Sequence, residues 1–138
     1  MKSDRRLLAM FAVSARFGGG DAATLTWTQG AGGGTAWTPR GAHAAVCFDD
    51  GVIVTTGGWN FASGPSSEVH ATTAGGTALS SVSQTTFTAR SGHAIARVPG
   101  DADAFLVVGG SDSGWKNDAL LTEDRGVSFV EKSNSVFT

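Results

Sequence analysis

Short apolar runs alternate with polar or glycine-rich stretches along the whole chain, and this pattern predicts β-strands rather than helices. The β-branched run Val52–Thr56 is the strongest single strand signal. Asp49-Asp50-Gly51 and Pro99-Gly100-Asp101 predict tight turns between neighbouring strands. The predicted strands are Leu7–Val13, Thr24–Thr28, Ala42–Phe48, Val52–Thr56, Glu68–Thr73, Thr77–Ser83, Gly92–Val98, Ala104–Val108, Asn117–Thr122 and Val127–Glu131.

An internal repeat organises these strands. Residues 37–58 and 87–110 both open with aromatic-Thr-x-Arg-x-x-His-Ala and both close with Gly-Gly. Arg40 and Arg90 are 50 residues apart, and Phe137-Thr138 lies 50 residues after Phe87-Thr88. A period of this length indicates stacked supersecondary units. It divides the chain into the back half of a preceding unit at 1–36, one unit at 37–86, and a second unit at 87–138 that ends with the start of the next.

Each complete unit contains four strands joined by short connections, which is typical of a β-propeller blade. Small residues lie in the first strand of each unit, where inner strands crowd around an axis. Larger residues lie in the fourth, where more volume must be filled. The small residues are Ala44, Ala45, Ala94 and Ala96, and the large ones are Trp27, Leu79 and Phe129. The predicted fold is all-β, a partial propeller with two complete four-stranded antiparallel blades and a half blade.

The repeat resembles the kelch family in several elements. Arg-x-x-His-Ala, an apolar strand, Gly109-Gly110 and Asn117-Asp118-Ala119-Leu120 follow the kelch order, whereas the first unit has Ser67-Glu68-Val69 in place of Asn-Asp. The resemblance covers Trp37 to Glu131. It implies a propeller that serves as a protein–protein interaction scaffold.

The segment Thr122–Phe129 resembles the Asp box of sialidase-type blades, Ser/Thr-x-Asp-x-Gly-x-Thr/Ser-aromatic. In such a turn the carboxylate of Asp124 accepts hydrogen bonds, Gly126 permits a positive φ, and Phe129 fills the core. The first unit has Ala74 where the aspartate would stand. Asp124 is therefore predicted to be structural.

Eight repeated residues make up the remaining motif: Arg40, His43, Gly57, Gly58, Arg90, His93, Gly109 and Gly110. The arginines could bind an anionic ligand, but their strict repetition favours bonds to carbonyl groups of a neighbouring blade. The histidines could form a polar ring or could pack against the adjacent blade. Metal sites usually require three or four ligands, so we predict neither a metal nor a cofactor.

The loops after the Gly-Gly pairs are the least repetitive parts of the units. They contain Trp59, Asn60 and Phe61 in the first unit, and Ser111, Asp112, Trp115 and Lys116 in the second. Aromatic residues on loops over a rigid scaffold suit recognition of sugars or peptides. The same residues could instead fold back and plug the loops.

Composition narrows the class of function. The net charge is −2, from 10 basic and 12 acidic residues, and without a basic block we expect no nucleic-acid partner. No apolar run approaches the ~18 residues of a membrane span. Sialidases and galactose-oxidase-type kelch enzymes require a tyrosine, and this chain has none, so no enzymatic activity is predicted.

The single cysteine, Cys47, lies in an apolar run and is predicted to be a buried structural thiol.

The N-terminus permits two interpretations. Lys2, Arg5 and Arg6 precede the apolar run Leu7–Val13, which could be a short signal peptide or a strand of the preceding unit. A cytoplasmic or a secreted location therefore stays open. Two and a half blades do not close a ring, so we expect a piece of a longer propeller, a homo-oligomer such as a six-bladed ring of three chains, or an open two-blade stack.

The functional hypothesis is a non-catalytic kelch-like segment that scaffolds protein–protein recognition. A carbohydrate-binding, lectin-like module completed by oligomerisation is the alternative, with Trp59 and Trp115 at its sites. A degenerate propeller hydrolase is a third hypothesis.

Overall fold

A computed structural model describes residues 38–73, 78–82 and 86–136, and these residues are all-β. They contain no helix, and therefore none with the length and apolarity needed to cross a membrane. Their strands are β1 (Ala44–Cys47), β2 (Ile53–Thr56), β3 (Trp59–Asn60), β4 (Gly64–Pro65), β5 (Val69–Thr72), β6 (Leu79–Val82), β7 (Ala94–Arg97), β8 (Phe105–Val108), β9 (Ala119–Thr122) and β10 (Val130–Ser133).

The first sheet is a four-stranded antiparallel meander in the order β1-β2-β5-β6. Its register pairs Val46 with Val54, and Val54 with Ala71. Partners directly opposite one another share a face of the sheet, so these three residues lie on the same face. The β3–β4 hairpin branches off between β2 and β5.

The second sheet has the same meander, β7-β8-β9-β10. Its register pairs Ile95 with Val107, and Val107 with Leu120. A register shift between Glu131 and Ser133 interrupts the pairing of β10 with β9. The two sheets therefore repeat one strand order at the spacing that the sequence repeat predicts.

The two sheets pack against each other around one core. Phe48, Val54 and Val69 from the first unit and Phe105, Val107 and Phe129 from the second belong to one hydrophobic cluster, and each is buried. Complete burial of one such side chain contributes roughly 1.5–3 kcal/mol. The rings of Phe105 and Phe129 meet edge to face with their centroids 5.9 Å apart. A single apolar layer thus belongs to both sheets.

The prediction for Cys47 is wrong, because its thiol is exposed. Side chains alternate between the two faces of a strand. Val46 and Phe48 point into the core, and Cys47, between them, points to the opposite face.

The segment after Gly58 was predicted as loop, but residues 59–65 form the β3–β4 hairpin. Each of its strands has only two residues, which is too short for alternation of side chains to appear in the sequence. The amide side chain of Asn60 closes the hairpin, since its Oδ1 accepts hydrogen bonds from the N–H groups of Ala62 and Ser63.

The turn between β9 and β10 is held by the carboxylate of Asp124. This group accepts hydrogen bonds from the Thr122 hydroxyl at 2.7 Å and from the Ser128 backbone N–H at 2.9 Å. Gly126 has a φ of +93°, which favours glycine. Phe129 then enters the core beside Phe87, with the ring centroids 5.0 Å apart.

Several predictions concern residues outside the described part of the chain. They are the strands Leu7–Val13 and Thr24–Thr28, the alternative signal peptide, Trp27, the residue Ala74, and the start of a third repeat at Phe137-Thr138.

Replacing Gly57 with alanine tests the close approach of the two sheets. Gly57 has a φ of +59°, and a Cβ there would lie 2.4 Å from the Arg90 carbonyl oxygen. Gly64 is the matched control, because its φ is +76° but its Cβ would meet nothing within 4 Å. The positive φ alone costs about 1–2 kcal/mol for an L-residue. We expect G57A to lower the free energy of unfolding by about 3 kcal/mol or more and G64A by about 1–2 kcal/mol, measured by urea denaturation. Equal losses of stability in G57A and G64A would show that the Arg90 carbonyl does not lie as close to Gly57 as the structure places it.

Candidate functional site

The buried guanidinium of Arg90 is the centre of a clamp in the second sheet. Its Nη1 donates to Asp118 Oδ1 at 2.7 Å and to the Gly109 carbonyl at 3.0 Å. Its Nη2 donates to Asp118 Oδ2 at 2.8 Å and to Thr88 Oγ1 at 2.6 Å. The side chain is completely buried. The pair with Asp118 is bidentate, the strongest geometry for such a contact, and it holds the pKa of Asp118 below its ordinary range.

Arg40 makes the equivalent clamp in the first sheet. It donates to Thr38 Oγ1 at 2.6 Å, to Ser66 Oγ at 2.7 Å and to the Gly57 carbonyl at 3.3 Å, and it pairs with the carboxylate of Glu68. Glu68 is half exposed, whereas Asp118 is mostly buried.

The acidic partners Glu68 and Asp118 were not recognised from the sequence. Both lie 28 residues after their arginine, and this shared spacing is the signal that would have found them. The predicted bonds to carbonyls of a neighbouring unit are wrong for the Arg90 side chain, whose partners in the described part of the chain all belong to its own unit. Each arginine bonds the carbonyl of the first glycine in the Gly-Gly pair of its own unit, which directly follows the second strand of that unit.

The backbone of Arg90 joins the two sheets. Its N–H donates to the Ser66 carbonyl at 3.1 Å, and its carbonyl accepts from the Gly58 N–H at 2.9 Å. The Gly92 N–H donates to the Ala42 carbonyl at 2.9 Å. One short segment therefore presents its side chain to the second sheet and its main chain to the first.

His93 completes this junction. Its Nε2 lies 2.8 Å from Thr56 Oγ1 on the first sheet. Burial, followed by the nearby charge of Arg90, lowers the pKa of His93 to about 4. His43, the equivalent histidine, has an exposed side chain. The structure thus places the two repeated histidines in different surroundings.

The two variable loops lie side by side. Arg90 bonds Ser66 at the end of the β3–β4 hairpin, and the next residue, Ser91, exchanges two backbone hydrogen bonds of 2.9 Å with Ser111. A strip of two residues therefore separates the hairpin from residues 111–116. The two loops form one edge of the molecule, which we call the loop edge.

The loop edge carries exposed aromatic side chains. Phe61 is fully exposed and Trp115 is 94% exposed, while Trp59 is partly exposed. Phe61 and Trp115 therefore do not plug their loops. Asn60 is engaged within the structure, since its Nδ2 donates to the Pro39 carbonyl at 2.6 Å in addition to the turn that it closes.

A charged pair flanks Trp115. Lys116 Nζ lies 2.8 Å from Asp112 Oδ2, and the hydrogen bond from Lys116 holds the pKa of Asp112 well below its usual range. The other Asp112 oxygen accepts a hydrogen bond from the backbone N–H of Gly114 at 3.2 Å. Trp115 thus stands on a turn that the Asp112–Lys116 pair braces.

Within residues 38–73, 78–82 and 86–136, no group of three or more His, Cys, Asp or Glu residues could hold a metal ion. The chemistry available at the loop edge is apolar contact and hydrogen bonding. No protein-family model matches the sequence, and no curated protein matches it either.

Replacing Asp118 with asparagine tests the clamp, with Glu68→Gln as its matched control. Removing the charge of Asp118 leaves a buried cation without its counter-ion, which costs about 3 kcal/mol or more. The Arg40 side chain is also buried, but its Glu68 partner is half exposed, so solvent screens this pair and removing its acidic charge costs less. We expect D118N to lower the free energy of unfolding by the larger amount, and equal losses would contradict a central role for Arg90.

The low pKa of His93 predicts loss of stability in mild acid. A depressed histidine pKa means that the unfolded chain binds the proton more readily, so stability is complete above pH ~6.5 and falls towards pH ~4. His93 contributes about 3 kcal/mol to this loss. Unfolding of wild type and His93→Gln should be compared at pH 7 and pH 4.5. The smaller loss of stability on acidification that remains in H93Q should come mainly from His70, whose pKa is lowered chiefly by burial. An unchanged slope in H93Q would refute this assignment.

Proposed function

We propose that this chain is a non-catalytic, kelch-like β-propeller segment whose loop edge recognises a protein partner. The support for blades is the repetition of one four-stranded meander together with a clamp at 28-residue spacing in both units. The Thr122–Phe129 turn has the hydrogen bonds expected of an Asp box.

One observation carries the recognition proposal: two aromatic side chains, Phe61 and Trp115, are almost entirely exposed on adjacent, internally braced loops. Aromatic residues dominate the energetics of protein interfaces. Loops that are already fixed lose little conformational entropy on binding. The hydrogen bonds of Asn60 and the pair of Asp112 with Lys116 provide that bracing.

Selection of peptides from a random displayed library on the immobilised chain tests the proposal. Selected peptides should bind F61A and W115A at least tenfold more weakly than wild type, because removing an aromatic hot spot costs about 2 kcal/mol. Val127→Ala is the control, since Val127 is also exposed but lies in the turn between β9 and β10. Peptides that bind all variants equally, or a selection without enrichment, would contradict the proposal.

A glycan is the second candidate ligand, favoured by the exposed Trp115 on a turn that also carries the polar side chains of Asp112 and Lys116. Aromatic faces combined with polar groups suit sugars, which have apolar and polar faces of their own. Binding on a glycan array that is lost in W115A but retained in F61A would favour this function over peptide recognition.

A further inference from the structure

His93 fills a tight space at the loop-edge end of the contact between the two sheets. A Cβ on Gly57 would lie 2.9 Å from the Cε1 atom of this histidine, and a Cβ on Gly110 would lie 2.9 Å from its Cβ. The ring of Phe87 packs across it, with the ring centroids 6.0 Å apart. Only 8% of His93 is exposed, so the side chain is enclosed by residues of both units.

The two ring nitrogens of His93 have different surroundings. Nε2 lies 2.8 Å from Thr56 Oγ1, whereas Nδ1 is buried and has no hydrogen-bond partner among the described residues. In the neutral imidazole Nδ1 can be the unprotonated acceptor, but a protonated ring has a donor at both nitrogens. A buried donor without an acceptor is costly. Protonation of His93 therefore creates an N–H group that its site does not satisfy.

The charged and titratable groups that face His93 oppose a proton on its ring. Burial is the main cause of its low pKa of about 4, and Arg90 on its own segment and His43 on the segment before β1 lower the pKa further. The Arg90 guanidinium is bonded to Asp118. The other elements packed on the ring present Thr56, two glycines and a phenylalanine, which carry no charge. A proton on His93 therefore requires the ring to leave its site for solvent.

The main chain beside this ring carries hydrogen bonds between the two sheets. The Gly58 N–H donates to the Arg90 carbonyl, the Arg90 N–H to the Ser66 carbonyl, and the Gly92 N–H to the Ala42 carbonyl. Each bond involves a residue close in sequence either to the histidine or to the glycine that its ring contacts. Withdrawal of the ring therefore disturbs all three bonds.

The opposite end of the two sheets, at the turn after β1, is held by ion pairs, and we call it the turn end. Arg97 pairs with Asp49 and Arg125 pairs with Asp50, each at 2.6 Å. The two guanidinium groups lie 5.4 and 4.7 Å from the ring centroid of Phe48. Hydrogen bonds from the arginines hold the pKa values of both carboxyl groups below their ordinary range. These pairs therefore stay charged between pH 7 and pH ~5.

We propose that protonation of His93 opens the loop-edge end of the contact between the two sheets while the turn end stays closed. The β3–β4 hairpin then moves apart from residues 111–116, and the shared core stays packed. The consequence for recognition rests on the proposed function: Phe61 and Trp115 are held next to each other at neutral pH and are separated in mild acid. His93 thus makes the geometry of the loop edge depend on pH.

The size of the effect follows from the linkage between protonation and opening. A solvent-exposed histidine binds its proton near pH ~6.5, whereas His93 in the closed form does so near pH 4. Proton binding therefore favours the open form below pH ~6.5, and its advantage grows until pH ~4. Between pH 7 and pH ~5 the ratio of open to closed molecules should rise about 20-fold.

Hydrogen exchange of single backbone amides, followed by NMR on the free chain, tests the proposal. The protection factors of the Gly58 and Gly92 N–H groups, corrected for the intrinsic pH dependence of exchange, should fall about 20-fold between pH 7 and pH ~5. The Phe48 and Val98 N–H groups bond within their own sheets at the turn end. Their protection factors should change by less than about threefold, because the turn end stays closed.

His93→Gln should abolish the fall in protection at Gly58, because an amide side chain does not take up a proton in this range. His43→Gln is the matched control, since His43 is the equivalent residue of the first unit and is exposed, and it should keep most of the fall. Thr56→Val leaves His93 in place but removes its hydrogen bond. T56V should therefore lower the protection of Gly58 roughly fivefold already at pH 7, as expected for one hydrogen bond.

Equal falls at all four amides would show that acid unfolds the chain as a whole, and a fall that persists in H93Q would assign the response to another group. Either result would overturn the proposal, as would unchanged protection of Gly58 and Gly92 between the two pH values. All of these measurements are made without a peptide. Failure of the pH response is therefore distinguishable from failure of the loop edge to bind a partner.

Discussion

The structure depends on how one buried positive charge is neutralised. Arg90 is placed between two sheets, and removing a guanidinium from water is costly unless every donor is satisfied. Asp118, Thr88 and the Gly109 carbonyl meet this requirement. They also fix the start of the second unit, and the main chain of Arg90 is then directed at Gly58 and Ser66 of the first sheet. One ion pair thereby sets the relative position of two sheets.

The antiparallel strands could be predicted because their residues have strong local preferences. Val52–Thr56 is β-branched, and Asp49-Asp50-Gly51 favours a turn whatever lies around it. The strand order followed from the repeat. The β3–β4 hairpin could not be predicted, because its strands are held by bridges to Gly41 and Arg90 that are distant in sequence. The prediction that Cys47 is buried was wrong for a related reason. A continuous apolar run does not show which of its residues point into the core.

The loop edge could be predicted only in outline. Aromatic residues after the Gly-Gly pairs marked the two loops, but exposure depends on how each loop folds. Phe61 projects into solvent because the side-chain oxygen Oδ1 of Asn60 closes the hairpin turn by accepting a hydrogen bond from the Ala62 N–H. Trp115 does so because Asp112 and Lys116 brace the residues around it. That the two loops are neighbours follows from Arg90 and Ser91, which lie between them.

The exposed thiol of Cys47 makes edge strand β1 of the first sheet directly accessible to chemical labelling. It is the only cysteine among 138 residues, and it lies on the strand that carries Ala45. A maleimide-linked fluorophore or spin label attached there modifies one defined position and requires no engineered residue. Because the side chain points away from the core formed by Val46 and Phe48, the label enters solvent rather than the packed interior. The chain therefore carries a built-in site for a single reporter group on β1.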